Sequence, residues 1–238
     1  MAKQVTRYAG DGVTLAESVY DEGSVHDGES TTPRRDWWKN ASTESEIFEG
    51  CQFEIEPVGE NDGDDYLQIA PDLPVAAPGQ CNAALHTGIA LEIGYYEYAV
   101  TFVTANGETP AGTRRSITTT SGNQKVDLSA IPVGLSGVTK RRVYRTAVGG
   151  GALKLVHEIA DNVTTSYLDE TPDGSLGADP PTLNTSGSPG TWTTDDISIG
   201  DLSAGAYVAC WMRYNVPAGA AQVGNPRRAK VTFRETGA

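Results

Sequence analysis

Between Tyr95 and Leu168 the chain is a succession of short strand-like runs, each closed by a turn signal. YYEYAVTFVT ends at Asn106–Gly107, a dipeptide that favours tight hairpins. KVDLSAI, TKRRVYRT, LKLVHEI and TSYLDE follow, with the glycines at 149–151 as a hairpin tip. Strands of this length at this spacing predict an all-β fold of the sandwich kind. Usage agrees, with 27 Gly and 13 Pro against 2 Met in 238 residues. Turn formers at that density are poorly compatible with long helices.

The flanks carry strands too, but too few on either side for a core of their own. Before the central block, IFEGCQFEIEP alternates apolar Phe48, Cys51, Phe53 and Ile55 with polar neighbours, the period-two mark of a half-buried strand. Gly50 beside Cys51 predicts a bulge, and DYLQIAP is a further short strand. After the block come ISIGDL, AYVACWMRYNV and RRAKVTF. Tyr207, Ala209, Trp211 and Arg213 alternate with Val208, Cys210, Met212 and Tyr214, so the strand has large groups on both faces and is expected to be central or covered on each side. Core size therefore favours one discontinuous β-sandwich from residues 1–90 and 188–238, interrupted by a second sandwich at 91–187 that ends in a Gly-, Pro- and Ser-rich linker. Residues 71–90, with three prolines, read as a connection. Three consecutive modules are the competing arrangement.

Charge is uneven. Of a formal −13, residues 1–90 contribute 17 acidic against 5 basic side chains. An acidic surface disfavours nucleic acid and anionic lipid as partners. No apolar run reaches membrane-spanning length, and MAKQVTRYAGDG lacks the apolar stretch of a signal peptide. Cys51, Cys81 and Cys210 are odd in number and not spaced for metal or disulfide work, so buried thiols are expected. No histidine pair, G-x-S-x-G elbow or GK[ST] loop is present, and neither a cofactor nor catalysis is expected. ENDGDD gives a weak cation candidate in Asp62, Asp64 and Asp65, without EF-hand spacing. Asn40, Asn162 and Asn184 open glycosylation-type triplets that are read as chance.

Interface candidates are more numerous. The polar stretch at 21–36 reads as an arm that orders against a neighbour. It brings Arg34 and Arg35 up to Trp37 and Trp38, of which one is expected in a core and the other as an interface anchor. Lys140, Arg141, Arg142 and Arg145 form the densest basic run, and Arg227 and Arg228 a second. Either suits an acidic face of another subunit.

GYYEYAVTFVTANGETP, NQKVDLSAIPVG, SGVTKRRVYRTAVGGG, LKLVHEIADNVTTSYLDETPDGSLG and PPTLNTSG together resemble the fibronectin-type-III-like modules of bacteriophage tail, baseplate and fibre proteins. The flanks, from DDYLQIAPD to DISIGDLSAGAYVACWMRYNVPAGAAQVGNPRRAKVTF, are similar to another piece recurring in virion proteins. The resemblance implies an immunoglobulin/fibronectin-III-like insert and a virion structural role in tail, baseplate or neck, with copies of itself and other virion proteins as partners. A head decoration protein is one alternative. A module binding host-surface glycan through Tyr95, Trp192 or Trp211 is another. A polysaccharide-degrading enzyme is the weakest, because no carboxylate pair is singled out.

Overall fold

The computed structural model of the protein describes residues 5–8, 30–42, 47–57, 66–218 and 229–235. It is all-β. Four strands come first: β1 (Val5–Tyr8), β2 (Arg34–Asn40), β3 (Phe48–Pro57) and β4 (Leu67–Leu73). Nine follow: β5 (Asn82–His86), β6 (Gly88–Ile89), β7 (Tyr95–Thr104), β8 (Gly107–Glu108), β9 (Arg115–Thr118), β10 (Asn123–Ser129), β11 (Val138–Thr146), β12 (Leu153–Ile159) and β13 (Tyr167–Asp169). The last four are β14 (Ser188–Pro189), β15 (Ile197–Leu202), β16 (Tyr207–Tyr214) and β17 (Ala229–Glu235). The chain divides into two compact units, Met1–Leu73 with Pro189–Ala238 (the outer unit) and Pro74–Ser188 (the inserted unit).

In the outer unit, one sheet runs β1-β2-β16-β4-β14 and another β15-β3-β17. The sequence dictates the order through its apolar faces. β16 has large groups on both sides and lies between β2 and β4. Its Cys210, Met212 and Tyr214 meet Trp38, Leu67, Ile69, Phe53 and Val231 in one core drawn from both flanks of the chain. Trp38 and Phe53 have ring centroids 4.6 Å apart. The irregularity expected at Gly50 is present, since Glu49 and Gly50 of β3 stand against the single residue Asp201 of β15 and Gly50 has φ +58°, and the partner strand carries a second one. The β3–β15 register shifts on either side of Gly200, which has φ +72° and faces Cys51. Only glycine takes that conformation without strain.

In the inserted unit, one sheet runs β13-β10-β5, with β6 also on β10, and the other β12-β11-β7-β8, with β9 also on β7. Tyr96, Tyr98, Val100 and Val143 of one sheet pack on Val126 and Leu128 of the other. The unit begins at Pro74, not near residue 91, because Asn82–His86 forms a five-residue antiparallel ladder with β10. Prolines and small residues hid this strand, although its prolines lie outside the ladder. Nor is the stretch after residue 170 a free linker. Gly177 and Ala178 exchange hydrogen bonds with Leu155, and Thr185 N–H donates to Glu108 O at 3.0 Å. Backbone groups lying against a sheet must find partners, and these find them on the unit's own strands.

The gap in the outer unit is narrow. Gly190 N–H donates to Pro71 O at 2.9 Å, so the two chain ends that the insert joins are already neighbours. Deleting 74–188 and bridging with two glycines is expected to leave a cooperatively melting, β-rich outer unit, read by far-UV circular dichroism. A broad, non-cooperative transition contradicts this.

Candidate interaction surface

The basic residues expected to face a partner are largely turned inward. On β11, alternation puts Arg141, Val143 and Arg145 on one face, and Val143 belongs to the core. Arg141 and Arg145 are accordingly fully buried. Arg145 Nη2 donates to Asp173 Oδ1 at 2.8 Å and to Thr171 O at 2.9 Å, and Nη1 lies 3.3 Å from the buried Asp169. Its guanidinium stands 4.9 Å from the Tyr96 ring centroid. Tyr98 donates its hydroxyl to Asp169 at 2.7 Å. Burial, then the Asp169 charge, pushes the Tyr98 phenol far above its ordinary range, which keeps it a donor.

The opposite face of β11 is also engaged. Arg142 reaches Glu108 at 2.6 Å and Glu158 at 2.9 Å, and Lys140 reaches Glu158 at 2.8 Å. Lys140, then Arg142, holds the Glu158 carboxyl below its usual value. Arg141 and Arg145 are therefore withdrawn from the expected outward patch, whereas Lys140 and Arg142 stay part-exposed beside their internal partners.

The same correction applies in the outer unit. Trp38 enters the core as expected. Trp37 is no open anchor: it is buried on the other face of β2, with Arg35 5.0 Å from its ring. Arg35 also lies 5.0 Å from the Trp211 ring and 3.4 Å from Asp72, to which Trp211 Nε1 donates at 2.6 Å. Burial is the larger influence on this pair, lowering Arg35 and raising Asp72, with their mutual attraction opposing it. Arg34 pairs with Asp36 at 2.9 Å. Arg213 stands 4.3 Å from the Trp192 ring. A guanidinium thus lies against a face of both tryptophans considered for sugar stacking, and only Tyr95 of that trio is exposed. Asp62, Asp64, Asp65, Arg227, Arg228 and arm residues 21–29 lie outside the described residues. Among the described residues no cluster of three potential metal ligands occurs, and no helix is long and apolar enough to cross a membrane.

The sequence did not disclose where apolar surface is presented. In the inserted unit, Leu135 is 82 % exposed, Val163 76 % and Val133 51 %. They sit on two loops, 130–137 and 160–166, which are fastened together. Gly134 N–H donates to Asn162 Oδ1 at 2.8 Å, and Asn162 Nδ2 returns a bond to Gly134 O at 2.9 Å. Ile131 N–H donates to Thr165 O at 3.1 Å. A side chain on Gly134 has no room, since its Cβ would lie 2.5 Å from Val138 Cγ2. Beneath both loops lies Arg141, which donates to Pro132 O at 3.1 Å, Asp161 O at 3.2 Å and Asp161 Oδ1 at 3.0 Å. Asp161 in turn accepts from the Thr164 hydroxyl at 2.6 Å and from the Val163 and Thr164 amides, each at 2.8 Å. The Thr164 hydroxyl first, then these amides, holds its carboxyl well below the usual range. Three exposed apolar side chains thus stand on a platform braced from below by a buried cation. The available signal was Val143: a guanidinium two residues to either side of a core valine shares its face.

The three glycosylation-type asparagines are all engaged. Asn162 serves the platform, Asn40 donates to Leu202 O at 2.9 Å, and Asn184 donates to Val75 O at 2.8 Å. Comparison with protein-family models, with curated proteins and with solved structures finds no match to this chain.

Proposed function

We propose that the chain is a non-catalytic structural component of a bacteriophage virion, of tail, baseplate or neck, and that its inserted unit is an immunoglobulin/fibronectin-III-like sandwich acting through subunit contacts. The observation that carries the reading is the braced platform of Val133, Leu135 and Val163. Apolar side chains that are exposed and already held in place lose little freedom on binding, which suits them to a contact made many times in an assembly. The internal pairing of Arg141, Arg142 and Arg145 supports a scaffold role for that charge. Two sheets sharing one apolar cluster support the sandwich assignment.

The double variant Leu135→Asp/Val163→Asp tests the contact. It is expected to keep the wild-type melting temperature, because both side chains are already in water. Incorporation into particles is expected to fall at least tenfold by quantitative immunoblot of purified virions. Wild-type incorporation refutes the platform's role. Absence of the wild-type protein from purified particles refutes the virion assignment itself.

A further inference from the structure

We propose that β5, Asn82–His86, pairs along its open edge with β5 of a second copy of this chain. The inference stands apart from the virion reading and rests on other residues. β5 ends its sheet: β10 flanks one side, and among the described residues no strand forms a ladder on the other. β9 of the second sheet runs close by but adds no rung. β12, which ends the other sheet, is by contrast covered. Leu155 of β12 donates to Ala178 O and accepts from Gly177 N–H, both at 2.8 Å. β5 also lacks the features that blunt a free edge, having no lysine, glutamate or proline and no register shift in its ladder.

Leu85 makes the opening apolar. It stands opposite the fully buried Val126 and shares a face with Ala83, which packs on the core. Leu85 itself remains 40 % exposed.

The five residues are complementary to themselves. Antiparallel pairing about Ala84 sets Asn82 opposite His86, Ala83 opposite Leu85 and Ala84 opposite itself. Partners then share parity, so the core-facing sides of the two sheets coincide. The smallest side chain lies at the centre, the one titratable group meets an amide, and each Leu85 gains an apolar neighbour. His86 is oriented by Asp127 of its own chain at 2.8 Å. A second copy supplies all of this without a further partner.

The test is cysteine cross-linking of the full chain, for which the buried Cys51, Cys81 and Cys210 give a low background. Across the two-fold, Ala84 meets its own copy at about 5 Å between Cα atoms, within disulfide reach, whereas the two copies of Asn82 are about 13 Å apart. Ala84→Cys is expected to give mostly disulfide-linked dimer under mild oxidation, and Asn82→Cys at least tenfold less. The wild-type chain is expected to sediment at twice its chain mass, and Leu85→Lys to sediment at the chain mass while still melting cooperatively, at a lower temperature because the dimer no longer stabilises it. Equal cross-linking at both positions overturns the proposal. So does a wild-type chain that stays monomeric to about 100 μM, including one that pairs only with an unrelated protein. Should Leu85→Lys fail to fold, the two cysteine variants still decide.

Discussion

Arg145→Ala is expected to lower the melting temperature of the inserted unit by roughly 12–20 °C, corresponding to about 3–5 kcal/mol. The cause is the charge left behind. Asp169 is fully buried and faces the Arg145 guanidinium at 3.3 Å. It retains the Tyr98 hydroxyl and the Thr171 amide, at 2.7 and 2.9 Å, but loses its counter-charge. Thr171 O and Asp173 Oδ1 lose the Arg145 donor in the same step, Asp173 Oδ2 keeping the Val148 amide. Arg145→Lys is expected to recover less than half of the loss, because an ammonium cannot reach three acceptors in the plane a guanidinium commands. A melting temperature within 4 °C of wild type for Arg145→Ala, measured by calorimetry, refutes this account.

Trp38→Ala is expected to cost the outer unit about 3–5 kcal/mol, the usual consequence of emptying a large aromatic site in a packed core. Trp38 is buried against Phe53 and lies in a cluster fed by β2, β3, β4, β16 and β17. Those strands come from both ends of the chain, so the cavity strikes the place where the two ends cohere. The check is the denaturant midpoint of the outer unit alone, with residues 74–188 replaced by a glycine bridge. A shift below about 1 kcal/mol means that the cavity closes and the two flanks are not held by this contact.

Strand existence and the faces of the outer unit were legible in the residues. The alternation along Tyr207–Tyr214 separated the two faces of β16 without saying which is the core side, and large groups on both foretold a central place, which it has between β2 and β4. Parity also held the fate of Arg141 and Arg145, since Val143 lies between them on the same face. Their burial was nonetheless not readable, because the carboxylates that make it tolerable are Asp161, Asp169 and Asp173, each contributed by a later turn or strand end. Charge density along a sequence does not say whether the counter-charge is a neighbouring molecule or a distant loop. β5 was missed for a local reason: NAALH has weak strand propensity, and its place in the sheet is fixed by the strongly alternating β10 beside it. The exposed platform was invisible because Val133, Leu135 and Val163 look like ordinary core valines and leucines until the loop that carries each of them is known.

The bond between Gly190 and Pro71 has a bearing on how such a chain can change over time. Because the host scaffold holds both sides of the junction one rung apart, whatever cassette is spliced between them needs only two termini that lie close together. The inserted unit meets that condition, with Val75 N–H donating to the Ser186 hydroxyl at 3.1 Å. Closing a larger or smaller loop there changes the entropy only logarithmically with length. The junction is thus a socket, at which one folded cassette can replace another while the framework that carries it stays the same.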